Sequence, residues 1–268
     1  MLGRLQAGVA PARVERTAAN GYNKGLIRIW PIPLLVLALV VAPLSARPDV
    51  SDSDDTSSEL ITRYVAQTQA QEPQLRGIRM DMDIDASLPK LQKTGKVHAL
   101  RQISRVGQIT YQGLKFIGDN TIKNDVIVRY LRAESEAQAV SQMAITPANY
   151  KFKYKGLQER GGRSVHVFNL APRKNLVGLF KGELWLDPNT CLPLRESGKF
   201  VKNPSIFLKK VEFVRDYEIR NGVALPKHIE SSVDTRFWGK AEMSINYSNF
   251  SRETDNAAAF TEADHPAQ

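Results

Sequence analysis

The stretch RSVHVFNLAPRKNLVGLFKGELWLDPNTCLPLRESGKFV, residues 163–201, indicates the fold class. Residues 165–170 and 182–187 each alternate apolar and polar side chains, which is typical of half-buried β-strands. The segment Asp187-Pro188-Asn189-Thr190 predicts a turn, and residues 191–201 continue as a further extended run. Strands that follow one another through short turns predict an antiparallel sheet.

The same pattern extends on both sides of this stretch. Residues 80–85 alternate strictly, strand-like runs follow at about 95–105 and 107–117, and almost everything from Tyr150 onward predicts strands. Asn221-Gly222 is a preferred hairpin turn. We count nine or ten strands in all.

Two helices interrupt the strands. Thr56 and Glu59 fit a capping box, and apolar residues at helical spacing then predict a helix over about 57–71, before Pro73. Asp119 or Asn120 can cap a second helix that ends near residue 140. A wide antiparallel sheet with one apolar face must close into a barrel or be covered by helices. Two helices cover such a sheet incompletely, so a cavity for an apolar ligand is expected.

The composition divides the chain into four parts. Residues 1–46 combine five basic residues with the apolar run IWPIPLLVLALVVAPLSA, which predicts a signal peptide cleaved after Ala46 or, alternatively, a retained N-terminal anchor. Residues 47–57 predict an acidic linker, residues 58–252 one folded domain, and residues 253–268 a disordered acidic tail. Either interpretation of the first part places the domain outside the cytoplasm.

The net charge bears on the partners of the domain, and the cysteine content bears on its disulfides. The net charge is +9, and the excess of Lys and Arg lies in the core, between acidic flanks. An exported basic domain meets anionic membrane surfaces or acidic polymers instead of nucleic acid, although a generally basic solvated surface explains the charge equally well. The single cysteine, Cys191, excludes a disulfide within the chain and is expected to be a small buried residue beside a turn.

No catalytic or metal-binding constellation stands out. Asp81, Asp83 and Asp85 lie on one face of a strand, but neighbours on that face stand about 7 Å apart, so a solvated strand face is favoured over a cation site. None of the four histidines has a His, Cys or Glu at ligand spacing, and G-x-S-x-G, P-loop and G-x-G-x-x-G motifs are missing. We therefore expect a binding protein without cofactor or metal, and not an enzyme. A hydrolase would need His98 or His166 to pair with a carboxylate in a pocket.

The order of elements, together with VHVFNLAPR, GELWLDPNTCLPLR, VEFVRDYEI and a closing YSNF, resembles the bacterial outer-membrane lipoprotein-sorting proteins. These are LolA-like half-barrels, and the envelope sensor RseB and LppX-type lipid binders are similar to them. The resemblance covers about 75–252. It implies an α+β fold in which a large curved antiparallel sheet forms an incomplete β-barrel covered by about two helices.

The resemblance also implies a function. Such a protein would bind lipid or lipoprotein acyl chains non-covalently in the periplasm, with lipoprotein sorting as one use; an envelope-stress sensor or protein scaffold of RseB type is the alternative. An anionic membrane surface or an envelope protein would be a further partner. The predicted lining residues lie on apolar strand faces, where packed core is an equally good interpretation of each: Phe152, Tyr154, Leu184, Leu186, Phe213, Tyr217, Val233 and Ile245.

Overall fold

The structure, a computed structural model, describes residues 50–136, 143–203 and 208–252. The described residues all fall within one compact unit. The predicted signal or anchor, the start of the linker and the acidic tail lie outside them. No helix among the described residues is both long and apolar enough to cross a membrane.

Ten antiparallel strands form one sheet. Their bounds are β1 Ile78–Leu88, β2 Lys93–Ile103, β3 Ile109–Gly118, β4 Tyr150–Arg160, β5 Arg163–Pro172, β6 Phe180–Leu186, β7 Pro193–Phe200, β8 Leu208–Arg220, β9 Val223–Thr235 and β10 Lys240–Arg252. The spatial order is β3-β2-β1-β10-β9-β8-β7-β6-β5-β4. The sheet is open, since β3 and β4 form its two edges.

The predicted turns join these strands as expected. Gly161 and Gly162 both have positive φ and connect β4 to β5, and Asn221-Gly222 connects β8 to β9. The Asp187 carboxylate accepts hydrogen bonds from the backbone N–H groups of Asn189 and Thr190, at 3.1 and 2.8 Å. The fold class predicted from residues 163–201 is therefore confirmed: the described residues form ten strands, two longer helices and one short 3₁₀-helix, Pro89–Leu91.

The first helix, α1, is longer than predicted. It spans Val50–Leu75, so it begins in the segment predicted as a linker and includes Pro73. Pro73 lies two residues before the end of the helix, so the backbone hydrogen bond that its missing N–H removes falls in the last turn. Two polar contacts fix α1 on the sheet: the Arg63 guanidinium donates to the Asn189 carbonyl at 2.9 Å, and the buried Gln71 amide oxygen accepts from the Ala224 N–H at 2.8 Å.

The second helix, α2, has two parts. Residues Ile122–Ile127 are π-helical and Val128–Glu136 are α-helical; the predicted end near residue 140 lies outside the described residues. Asp119 caps it by accepting from the Thr121 N–H at 2.7 Å, and Arg129 pairs with Asp125 one turn away at 3.0 Å. Both helices lie against the same face of the sheet, which we call the covered face.

The core on the covered face has two parts, one beneath each helix. Leu60 and Tyr64 of α1 pack on β4 to β8. Ile122, Ile127 and Leu131 of α2 pack on β1, β2, β9 and β10. The opposite face, which we call the outer face, carries the alternate residues of each strand. The strict alternation predicted for residues 80–85 is confirmed, since Met80, Met82 and Ile84 are at most 1% exposed.

Candidate functional site

The covered face is sealed beneath each helix and accessible between them. Met82 of β1 and Leu184 of β6 are completely buried. In contrast, 41% of the Arg215 side chain, on β8, remains accessible. We call this region the central gap and define it by the inward-facing, partly accessible residues of β8, β9 and β10: Arg215, Tyr217, Ser231, Val233 and Met243.

The central gap lies on the covered face, between the two parts of the core. Burial is the largest influence on the pKa of both Arg215 and Tyr217, so these side chains are surrounded by protein atoms on most sides. Both side chains nevertheless keep partial accessibility. The cavity expected from incomplete helix cover stays a prediction, and the central gap is the place where it would lie.

A closed ion-pair network borders the central gap on the α2 side. The Arg101 guanidinium on β2 donates from Nε and Nη2 to Glu134 Oε1 on α2, at 3.2 and 2.8 Å. The Tyr111 hydroxyl donates a short hydrogen bond to the other Glu134 oxygen. Burial disfavours the charged form of Arg101, but Glu134, Tyr247 and Tyr111 together outweigh burial and raise the pKa of the guanidinium. The Arg101 side chain is only 8% exposed, so this network has little surface left for a ligand and serves to hold α2 on the sheet.

A second, open network lies within the central gap. Glu196 of β7 stands directly opposite Arg215, and Nη1 of Arg215 lies 3.4 Å from Oε2 of Glu196. The guanidinium is stacked over the Phe213 ring at 4.8 Å. Burial raises the pKa of Tyr217 well above its usual value, and Glu196 adds to the shift. Burial likewise raises the pKa of Tyr64, on α1, so both phenols stay protonated.

Tyr130 connects the two networks. It interacts with Tyr247, whose pKa burial raises to about 12, and burial also raises the pKa of Tyr130 itself. Tyr130 and Glu134 both contribute to the electrostatic environment of Arg215. Two guanidiniums, two carboxylates and neutral phenols thus form one interior polar belt between the helices.

The eight predicted lining residues all lie on the covered face, but in different surroundings. Five belong to the α1 side, where Leu184 and Leu186 are at most 1% exposed and Phe152 and Tyr154 are partly buried around Phe168. Phe213 is the fifth and underlies Arg215. Ile245 and Val233 belong to the α2 side, and only Val233 keeps accessible surface. Tyr217 and Val233 therefore line the central gap, and the ligand-binding role of the set stays a prediction.

Sequence reasoning missed the charged residues of the interior belt. Arg215 follows Phe213 by two positions and so shares its face, and Arg101 follows Ala99 in the same way. This alternation is the signal that was available. Glu134 and Glu196 carry no comparable signal, because their partners lie on other elements.

The three aspartates of β1 lie on the outer face, and each pairs with a different polar side chain. Asp81, Asp83 and Asp85 contact different partners, Asn249 at 2.7 Å, His98 at 2.9 Å and Lys96 at 2.5 Å. Each of the three carboxylates is therefore occupied separately, as a solvated strand face requires. Within the described ranges, no group of three or more His, Cys, Asp or Glu side chains is placed to hold a metal ion.

Trp185, on the outer face, contacts two arginine side chains. The guanidiniums of Arg195 and Arg160 lie 4.9 and 5.9 Å from its ring centroid, and its indole N–H donates to Glu183 at 3.0 Å. Both guanidiniums lie within the range of a cation–π contact. Trp185 therefore serves the packing of this face.

A groove of about 700 Å³ also crosses β8, β9, β10, β1 and β2. Its charged side chains lie on the outer face and pair locally, for example Lys240 with Glu242 at 2.9 Å and Lys96 with Asp85 at 2.5 Å. Side chains in these two pairs are 48–71% exposed. The groove is a solvated, locally neutralised surface.

The side chains to consider for catalysis are Cys191, His166 and His98. Cys191 is completely buried, and burial raises the pKa of its thiol. The His166 ring accepts from or donates to the Tyr154 hydroxyl at 2.7 Å, and burial, followed by Arg63, lowers its pKa. His98 does pair with a carboxylate, Asp83, but both side chains are about half exposed on the outer face.

Comparison with known proteins gave matches to solved structures alone. No family model and no curated protein matches the chain. A putative outer membrane lipoprotein-sorting protein domain from Vibrio parahaemolyticus is 10% identical, with a TM-score of 0.39, over 74% of this chain and 94% of that one. A LolA superfamily protein from Nitrosomonas europaea is 11% identical, with a TM-score of 0.35, over 72% and 93%.

A third structure is the MucA/MucB complex of Pseudomonas aeruginosa. It is 12% identical, with a TM-score of 0.26, over 74% of this chain and 99% of that one. At these identities the likeness concerns the fold alone. The chain is similar to LolA-superfamily, lipoprotein-sorting and MucB structures.

Proposed function

We propose that this chain is an exported cell-envelope protein that binds a hydrophobic or lipidic ligand, such as an acyl chain or a lipoprotein, non-covalently in its half-barrel. The observation that carries the proposal is the central gap. The covered face is sealed beneath each helix, yet it keeps accessible, deeply placed side chains between the helices.

The walls of the central gap suit an acyl chain. Val233 and Met243 contribute partly buried apolar surface, and the buried side chains of Phe213 and Ile245 lie beneath as an apolar floor. Burial of each methylene contributes about 0.8 kcal/mol, so a chain of ordinary length gains enough to bind without a covalent bond. The N-terminal apolar run supports export, and the fold supports a carrier or binding role over catalysis.

A protein-binding role of RseB type is the second candidate, and the free edge at β3 favours it. This edge strand exposes Leu114 and Ile117, which are 54% and 75% accessible. An exposed apolar edge can accept a strand from a partner protein. The opposite edge, β4, exposes Lys151, Lys153 and Lys155 instead, and such a row of lysines discourages strand addition.

Native mass spectrometry of the full chain, purified from the envelope in mild detergent, tests the ligand. We expect a mass excess that matches one lipid or acyl chain, and displacement of a fluorescent fatty acid by the extracted ligand. A protein that is empty after purification and fails to bind the fluorescent fatty acid would contradict lipid binding. If it then captures an envelope protein through β3, the sensor role gains support.

A further inference from the structure

We propose that Arg215 recognises an anionic oxygen head group, a carboxylate or a phosphate, on the ligand that occupies the central gap. This inference rests on the proposed lipid-binding function and specifies the class of lipid.

The first observation is the position of Arg215. It lies on the inward face of β8, two residues after Phe213 and two before Tyr217, beside the apolar floor described above. Burying an arginine in an apolar interior costs free energy unless an anion or hydrogen bonds compensate its charge, because desolvation disfavours the charged form. The neighbouring phenols and Glu196 nevertheless keep the pKa of Arg215 above its ordinary value. Arg215 is therefore a permanent cation within the central gap.

The second observation is that its donors are incompletely used. A guanidinium has five N–H donors and commonly binds a carboxylate through two of them. Arg101 approaches this pattern with bonds of 3.2 and 2.8 Å to Glu134. The contact recorded between Arg215 and Glu196 is one long bond of 3.4 Å from Nη1. The remaining donors of Arg215 lie on a side chain that is 41% accessible.

The third observation is that the interior carboxylates are already compensated. Glu134 accepts from Arg101 and Tyr111, while Glu196 interacts with Tyr217 and is only 10% exposed as a side chain. The accessible charge in the central gap is therefore the cation. The neighbouring phenols of Tyr64 and Tyr217 remain neutral, so they add no competing negative charge.

Three probes with the same oleoyl chain test the head group: oleic acid, oleyl alcohol and oleoyl lysophosphatidic acid. Their affinities for the full chain are measured by displacement of a fluorescent fatty acid, below the concentrations at which the probes form micelles. We expect the acid, the phosphate or both to bind about 10- to 100-fold more tightly than the alcohol, as one charge-assisted contact allows. The tighter of the two anions identifies the source of the head group.

Two variants separate this role from a merely structural one. Arg215→Gln should abolish the preference for anions while oleyl alcohol still binds. Glu196→Gln should strengthen binding of the anions, because it removes the competing carboxylate; this gain cannot arise from loss of folding. Arg195→Gln is the matched control, since Arg195 lies on the same strand pair but on the outer face, and it should leave the preference unchanged.

The outcomes distinguish the two proposals. Equal affinity for alcohol and anions, or an unchanged preference in Arg215→Gln, would overturn head-group recognition and leave lipid binding intact. Failure of all three probes to bind would overturn the lipid-binding function itself, and the head-group inference with it.

Discussion

Glu196 and Arg215 face each other across β7 and β8 on the covered face, with 3.4 Å between Oε2 and Nη1. Their immediate neighbours, Arg195 and Asp216, face each other on the outer face and form two bonds, at 2.6 and 2.9 Å. The same pair of strands thus carries a complete ion pair on one face and an incomplete one on the other. The incomplete pair lies in the central gap, where a ligand would complete it.

The buried Arg101–Glu134 pair should contribute strongly to folding. Glu134→Gln leaves the guanidinium of Arg101, 8% exposed, without its counter-charge. Breaking a buried ion pair in this way costs about 3 to 5 kcal/mol. Urea unfolding at neutral pH measures the loss. The control is Lys96→Met, which removes an exposed pair with Asp85 and should change the free energy of unfolding by about 1 kcal/mol or less. Equal effects of the two substitutions would contradict the closed network.

Gly182 should be irreplaceable in the α1 half of the sheet. A Cβ at this position would lie 1.8 Å from the Ser197 carbonyl oxygen and 2.6 Å from the Gly198 Cα, both of which are backbone atoms of β7. Gly182→Ala must therefore separate β6 from β7, and we expect a loss of at least about 3 kcal/mol in thermal or urea unfolding. Gly113→Ala is the control, because its Cβ would contact nothing and only its positive φ adds strain, of about 1 to 2 kcal/mol. A Gly182→Ala protein as stable as the control would exclude this close approach.

Alkaline pH should destabilise the protein through Tyr247. Burial raises its pKa to about 12, whereas an unfolded tyrosine ionises near pH 10. Below pH 10 both states keep the proton; between pH 10 and 12 the unfolded state releases it first, so the free energy of unfolding falls as pH rises. Two pKa units correspond to about 2 to 3 kcal/mol.

Urea unfolding at pH 9 and pH 11 measures this loss in the wild-type protein and in Tyr247→Phe. The variant has no phenol at this position to ionise, so its loss between the two pH values should be smaller. An identical loss in both proteins would show that Tyr247 titrates normally in the folded state.

The sequence predicted the sheet better than the site, and β8 shows why. Alternation correctly assigned Phe213 and Tyr217 to one face, and it also places Arg215 between them. The partner of this cation cannot be predicted from the β8 sequence. Glu196 lies on another strand, and its distance from Arg215 depends on the register of β7 and β8. A bulge between Asp216 and Tyr217 shifts the pairing with β9 further. Register and bulges are properties of two strands together, so one strand's pattern cannot supply them.

The helices show the same limit. The capping box at Thr56 and Glu59 predicted a start near residue 57, but α1 begins at Val50. The position of α1 depends on a tertiary contact, because the Gln71 side chain binds the backbone of Ala224, more than a hundred residues away. The division of the covered face into two sealed halves follows from where α1 and α2 dock on the sheet. Neither helix sequence encodes the distance between the two docking positions.

Photo-crosslinking tests the central claim, that a lipid enters the central gap, most directly. The full chain is incubated with a diazirine-labelled fatty acid, irradiated and analysed by mass spectrometry at single-residue resolution. Because neighbouring residues of a strand face opposite sides, β8 itself reports the face. We predict labels on Phe213, Arg215 and Tyr217, with Val214 and Asp216 unlabelled. Labels on Val214 and Asp216, or on both sets equally, would contradict binding within the half-barrel.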